Sequence, residues 1–96
     1  MNIPNPAQAH GSIATTGTAA TLATLGYDLN VGTDMLLIQA VGGDVRMTLN
    51  GTNPTASLGL KIADGTVVQL GSIEATVAKF ITGNNSPKLE IVGFIK

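Results

Sequence analysis

No cysteine occurs in this 96-residue chain. No disulfide can staple it, so a small domain must draw its stability from packing, from association or from docking on a larger body. Absent thiols fit either a reducing or an oxidising compartment. Charge is the second shortage. Only 11% of the residues are charged, against about 25% in ordinary soluble domains. A subunit packed against neighbours needs less surface charge than a free monomer. The net charge is −1 and the five Lys and Arg are scattered. The basic stripe of a nucleic-acid binder is missing, so no nucleic-acid partner is expected. Aromatics are scarce: Tyr27, Phe80 and Phe94, with no Trp. A carbohydrate-binding module that stacks sugars on exposed rings has little to work with. No apolar run approaches the length of a membrane span, so no membrane partner is expected either. The start of the chain lacks the basic and apolar regions of a secretory signal. The expectation is a protein that stays where it is made or leaves the cell inside a larger particle.

Chemistry-bearing patterns are equally thin. His10 is the only histidine and has no acid or cysteine beside it in the sequence. A Ser–His–Asp constellation needs its imidazole held by packing and by a partner. The acids Asp28, Asp34, Asp44, Asp64, Glu74 and Glu90 show no pairing on one element. Asp44 and Asp64 adjoin glycines, where Asp commonly closes turns. Neither glycine-rich phosphate motif is present. Asn50-Gly51-Thr52 matches the minimal glycosylation triplet, which without a secretory signal reads as chance. No catalytic, cofactor-binding or metal-ligating residue is expected, and the chain reads as a non-enzyme without cofactor.

What the chain does have is strand pattern. The mean hydropathy is +0.32, carried by Ala, Val, Ile and Leu. In Asp44–Asn50, Val45, Met47 and Leu49 alternate with Asp44, Arg46, Thr48 and Asn50, the period of a half-buried strand. Met35–Val41 is a nearly continuous apolar run, which predicts a strand covered on both faces. Gly42-Gly43 between these two runs predicts a hairpin. Leu60–Ile62 reads as a short bridge and Ala63-Asp64-Gly65 as a turn. Thr66–Leu70 is a strand. Residues 71–80 are ambiguous between a bulged strand and a loop leading to a strand at Lys79–Thr82. Residues 83–87 are a turn cluster, and Lys88–Lys96 is the last strand. No convincing helix is visible. Residues 1–24, with Pro4 and Pro6, read as an N-terminal arm whose later part, Ala19–Leu25, forms an edge strand; residues 25–96 form the domain. Asn50, Gly51, Thr52, Pro54 and Thr55 read as a structural corner. In the last strand Leu89 and Ile91 share one face, and Val92 and Phe94 the other. Val92 and Phe94, with Ile3 of the arm, are the candidate interface.

The stretch Val45-Arg46-Met47-Thr48-Leu49-Asn50-Gly51-Thr52-Asn53-Pro54-Thr55-Ala56-Ser57 resembles a segment of small tailed-phage virion proteins, V-R-Y-T-x-D-G-x-x-P-T. Gly59, Ile62-Ala63-Asp64-Gly65 and Lys79-Phe80-Ile81 look like the parts that follow it there. The resemblance spans residues 41–82, with Met47 in place of the Tyr and Asn50 in place of the Asp. The corner alone also resembles one in the Ig-like accessory domain of some chitin-active hydrolases. Strand and turn spacing predicts an all-β fold, a small antiparallel sandwich or jelly-roll-like barrel of about six to eight strands. The resemblance implies a capsid decoration or cement subunit located in the virion. It would adhere without chemistry to the major capsid protein or other virion proteins, as a homo-oligomer. The rival expectations are another virion part, at neck, tail or fibre base, and a non-catalytic carbohydrate-binding module.

Overall fold

A computed structural model of the chain describes residues 10–29 and 33–95, with Ile95 described in its backbone only. Ile3 and the two early prolines lie outside the described residues. Among the described residues eight strands form two antiparallel four-stranded sheets. One sheet contains β1 (Gly11–Ala14), β3 (Thr33–Val41), β6 (Val67–Gly71) and β8 (Lys88–Ile95), in the order β1-β8-β3-β6. The other contains β2 (Ala20–Thr21), β4 (Val45–Thr48), β5 (Leu60–Ile62) and β7 (Lys79–Thr82), in the order β2-β7-β4-β5. Strand 1 pairs with 8, 2 with 7, 3 with 6 and 4 with 5. That is the pairing of one long antiparallel ribbon folded across two sheets, which defines the jelly roll among the sandwich architectures. The segment read as an arm therefore supplies the edge strands β1 and β2, and Leu22 just beyond them is core.

Period-two alternation fills the space between the sheets. Leu36, Ile38 and Ala40 of β3 meet Leu89 and Ile91 of β8 on the inner face, all fully buried. Val45, Met47, Ile62 and Phe80 enter from the opposite sheet. Phe80, at 0% exposure, is the largest of the fully buried side chains. Burying such residues removes about 25 cal/mol of unfavourable hydration per Å² of apolar surface.

Three expectations fail here. Gly42-Gly43 does not close a hairpin. β3 and β4 lie in different sheets, and the glycine pair carries the chain across the sandwich edge. Gly42 has φ +93°, and a Cβ on Gly43 would stand 2.5 Å from the carbonyl oxygen of Asn84. The crossing needs residues without side chains. Helices also exist. α1 (Leu22–Leu25) is capped by the Thr21 hydroxyl, which accepts from the Thr24 N–H at 3.3 Å, and ends at Gly26 with φ +109°. α2 (Ser72–Val77) occupies the ambiguous stretch. Its buried Ala75 and the following Ala78 put small residues against the core at helical spacing, so the strand-like alternation of Ile73, Ala75 and Val77 misleads. Lastly, among the described residues the β3 run is covered on one face only. Met35, Leu37 and Gln39 are partly exposed and Val41 is exposed on the other.

Candidate functional site

The two outer faces of the sandwich differ. On the β4–β7 sheet, Arg46, Thr48, Lys79 and Ile81 point outward. The loop of residues 49–59 folds back on this face. The Arg46 guanidinium donates to the carbonyl oxygens of Gly59 at 2.9 Å and Ala56 at 3.3 Å. Lys79 Nζ donates to Asn53 Oδ1 at 2.8 Å. Pro54 in the loop is buried, and so is the outward-pointing Ile81 at 9% exposure. The corner is built from local bonds. The Thr52 N–H donates to Asn50 Oδ1 at 3.2 Å, and the Thr48 hydroxyl donates to the Thr52 carbonyl. Thr55 Oγ1 accepts from the N–H groups of Ser57 and Leu58 at 3.2 and 2.9 Å. Gly51 sits at φ +84°. Asn50, Gly51, Thr52, Pro54 and Thr55 thus form one self-bonded loop, closed over its own sheet.

The outer face of the β3–β8 sheet has no such cover among the described residues. Register places Met35 beside Phe94, Leu37 beside Val92, and Gln39 beside Glu90. Val67 and Gln69 of β6 extend these rows, and Val67 is 53% exposed. The result is an apolar strip of Met35, Leu37, Val92 and Phe94, each partly exposed, outside the buried cluster. Leu89 and Ile91, the alternate residues of β8, are fully buried. Beside the strip is a shallow hollow of about 160 Å³, lined by Leu37, Gln39, Val67, Glu90, Val92 and His10 among others.

Sequence reading left His10 without an acid. The β1–β8 pairing sets Ser12 opposite Glu90, and His10 Nε2 lies 2.8 Å from Glu90 Oε1. The Ser12 hydroxyl donates to the other oxygen, Glu90 Oε2. Those donors hold the Glu90 carboxyl below the usual range, Ser12 contributing most and His10 next. The order is wrong for a nucleophile. The imidazole and the hydroxyl sit on opposite oxygens of the carboxylate, whereas base catalysis needs His between Ser and acid. The cluster instead fastens the edge strand β1 to β8.

At one end of the sandwich Asp44 ties three loops together. Its carboxylate accepts from the Asp64 N–H at 2.9 Å and from Asn84 Nδ2 at 3.1 Å, with Lys61 Nζ at 3.4 Å. Its own N–H donates to Asn84 Oδ1 at 2.7 Å, and Asp64 Oδ1 accepts from the Gly42 N–H at 3.0 Å. The backbone bond from Asp64 is the main cause holding the Asp44 carboxyl below the ordinary value, with Lys61 and Asn84 adding to it against the cost of desolvation. The carboxylate faces donors, which suits a turn-closing role. Among the described residues no group of three or more His, Cys, Asp or Glu is placed to hold a metal ion. Nor is any helix long and apolar enough to cross a membrane.

Of the three aromatic rings, Tyr27 and Phe80 are buried, and burial pushes the Tyr27 phenol up. Phe94 alone reaches the surface, in the strip. The alternation in β8 made Val92 and Phe94 visible from the sequence. Met35 and Leu37 were missed as surface residues because an unbroken apolar run hides which face is covered. Comparison with protein-family models, with curated proteins and with solved structures finds no match to this chain.

Proposed function

We propose that the chain is a non-catalytic adhesion subunit of a tailed-phage virion, of the capsid decoration or cement type. The observation that carries the adhesive part is the apolar strip of Met35, Leu37, Val92 and Phe94 on the outer face of the β3–β8 sheet, which no other described residue covers. The opposite outer face is folded over by the protein's own loop, which itself exposes Leu49, Leu58 and, beside it, Leu60, and the chain carries few charges. Apolar patches of this kind, flanked by polar residues, suit protein contacts. The virion part rests on the resemblance of residues 41–82. The fold is neutral between readings, since jelly rolls serve in capsids, lectins and cupins alike. The strip would meet capsid subunits where they adjoin, and many weak contacts would sum to a firm one. Glycan binding is less well supported, because Phe94 is the one aromatic ring near the surface.

Mass spectrometry of purified particles with copy counting tests this reading. The expected result is a fixed copy number in simple proportion to the major capsid protein. Absence from particles would overturn it, and a handful of copies at one vertex would move the protein to the neck or tail.

A further inference from the structure

The open edge of the β3–β8 sheet has the chemistry of a self-pairing strand. Among the described residues β6 is the last strand on its side and, at five residues, the longest of the four edge strands. Its register with β3 runs without a shift from Met35–Gly71 to Gln39–Val67. It holds no charge and no proline, and Val67 is 53% exposed. Proteins usually protect such an edge with a charge, a proline, a bulge or brevity. The other sheet does so: its edges are β5, three residues with Lys61 at the centre, and β2, two residues long.

The direction of the free backbone groups follows from one bond. The Ala40 N–H donates to the Thr66 carbonyl at 3.2 Å. Antiparallel pairs alternate between bonded and non-bonded, so Val68 and Leu70 bond to β3, while Val67 and Gln69 turn their N–H and C=O groups to the open edge. Neighbouring α2 packs against β3, β6 and α1 with Ala75 buried, and its Glu74 carboxylate lies beside Gly71 at the end of β6.

We propose that a second copy of this chain pairs with β6, antiparallel about a two-fold axis at Gln69, joining two sandwiches through one continuous sheet. Gln69 of each copy then exchanges both main-chain bonds with Gln69 of the other, and Val67 faces Gly71. Val68 stands opposite Leu70, so the inner faces continue apolar against apolar. The occupant is a copy because this neutral strand meets itself without like-charge repulsion, which β5 with its Lys61 would not. The apolar strips of both copies would lie on one extended surface. This pairing is independent of the virion reading, and its test uses no particles.

Three measurements on the purified full chain decide it. Analytical ultracentrifugation from micromolar to millimolar concentration should show a dimer. Gln69→Pro should weaken that dimer at least tenfold while the protomer keeps its cooperative melt, since the Gln69 N–H makes no bond to β3 and proline is tolerated facing an open edge. If this variant melts early, Gln69→Lys serves the same purpose without touching the backbone. Gln69→Cys should be cross-linked between copies by a short thiol-to-thiol reagent, because bonded antiparallel partners stand about 5.5 Å apart at Cα. Val67→Cys should not, its equivalent lying about 13 Å away in this register. A monomer throughout the concentration range, a dimer indifferent to Gln69→Pro and Gln69→Lys, or equal cross-linking by both cysteines would overturn the proposal.

Discussion

Truncating Leu89 and truncating Phe94 should do opposite things, although both lie on β8. Leu89 is fully buried and paired in register with Ile13 on one side and Ala40 on the other. Leu89→Ala leaves a cavity between rigid sheets and should cost about 2–5 kcal/mol. A domain of this size has a total stability of about 5–14 kcal/mol. At about 4–8 °C per kcal/mol, the melting temperature should fall by about 8–40 °C. Phe94 sits on the outer face beside Met35, outside the buried cluster. Its truncation opens a dent to solvent and makes no cavity. Partial burial of a side chain worth about 1.5–3 kcal/mol when fully buried sets a cost near 1 kcal/mol. The expected shift is at most about 8 °C. Binding to particles should suffer more, by about 2 kcal/mol or about 30-fold, as for a buried aromatic anchor. Thermal melting by circular dichroism and co-sedimentation with particles lacking the subunit measure both. If Phe94→Ala lowers the melting temperature as far as Leu89→Ala, Phe94 is core and the reasoning is refuted.

The corner and the loop network make two further predictions. Gly51 has φ +84° and open space where a Cβ would go, so Gly51→Val should cost only the backbone strain, about 1–3 kcal/mol by urea unfolding, and Thr52→Ala almost nothing; equal effects would contradict the corner. The Asp44 and Glu90 carboxyls both titrate below their ordinary range in the folded protein. Their contribution is therefore whole above the unfolded values near about pH 4 and is lost as pH falls through the lowered ones. The urea midpoint should drop from pH 5 to pH 2.5, and less steeply in Asp44→Asn; the same slope in both would remove Asp44 from the account.

Periodicity made the strands legible, and its silence on partners explains the misses. Val45–Thr48, Thr66–Leu70 and the last strand announce themselves by alternation or by turn residues at their ends, whereas Lys79–Thr82 is only one of two alternatives for its stretch. Gly42-Gly43 marks a sharp change of direction but says nothing of which sheet comes next. In a jelly roll the consecutive strands β3 and β4 belong to opposite sheets, so a local hairpin signal fails. α2 escaped because a six-residue helix is too short to show a full helical stripe. The signal available was the pair Ala75 and Ala78, small residues three apart after Gly71-Ser72. His10 and Glu90 meet only through the β1–β8 pairing, across 80 positions of sequence. No spacing rule reaches that far. The apolar strip was half legible. Val92 and Phe94 followed from alternation, whereas Met35 and Leu37 required knowing that one outer face carries a loop and the other does not.

Hydroxyl-radical footprinting of the free chain and of the chain bound to particles tests the central claim most directly. Met35 and Phe94 lie side by side on the open face, and Met47, at 3% exposure, is an internal control. The account predicts that Met35 and Phe94 are labelled in the free protein and protected on the particle, while Met47 stays unlabelled in both and Leu58 of the folded-back loop, at 52% exposure, labels equally in both. Unchanged labelling of Met35 and Phe94 on the particle, with protection at Leu58 instead, would contradict it.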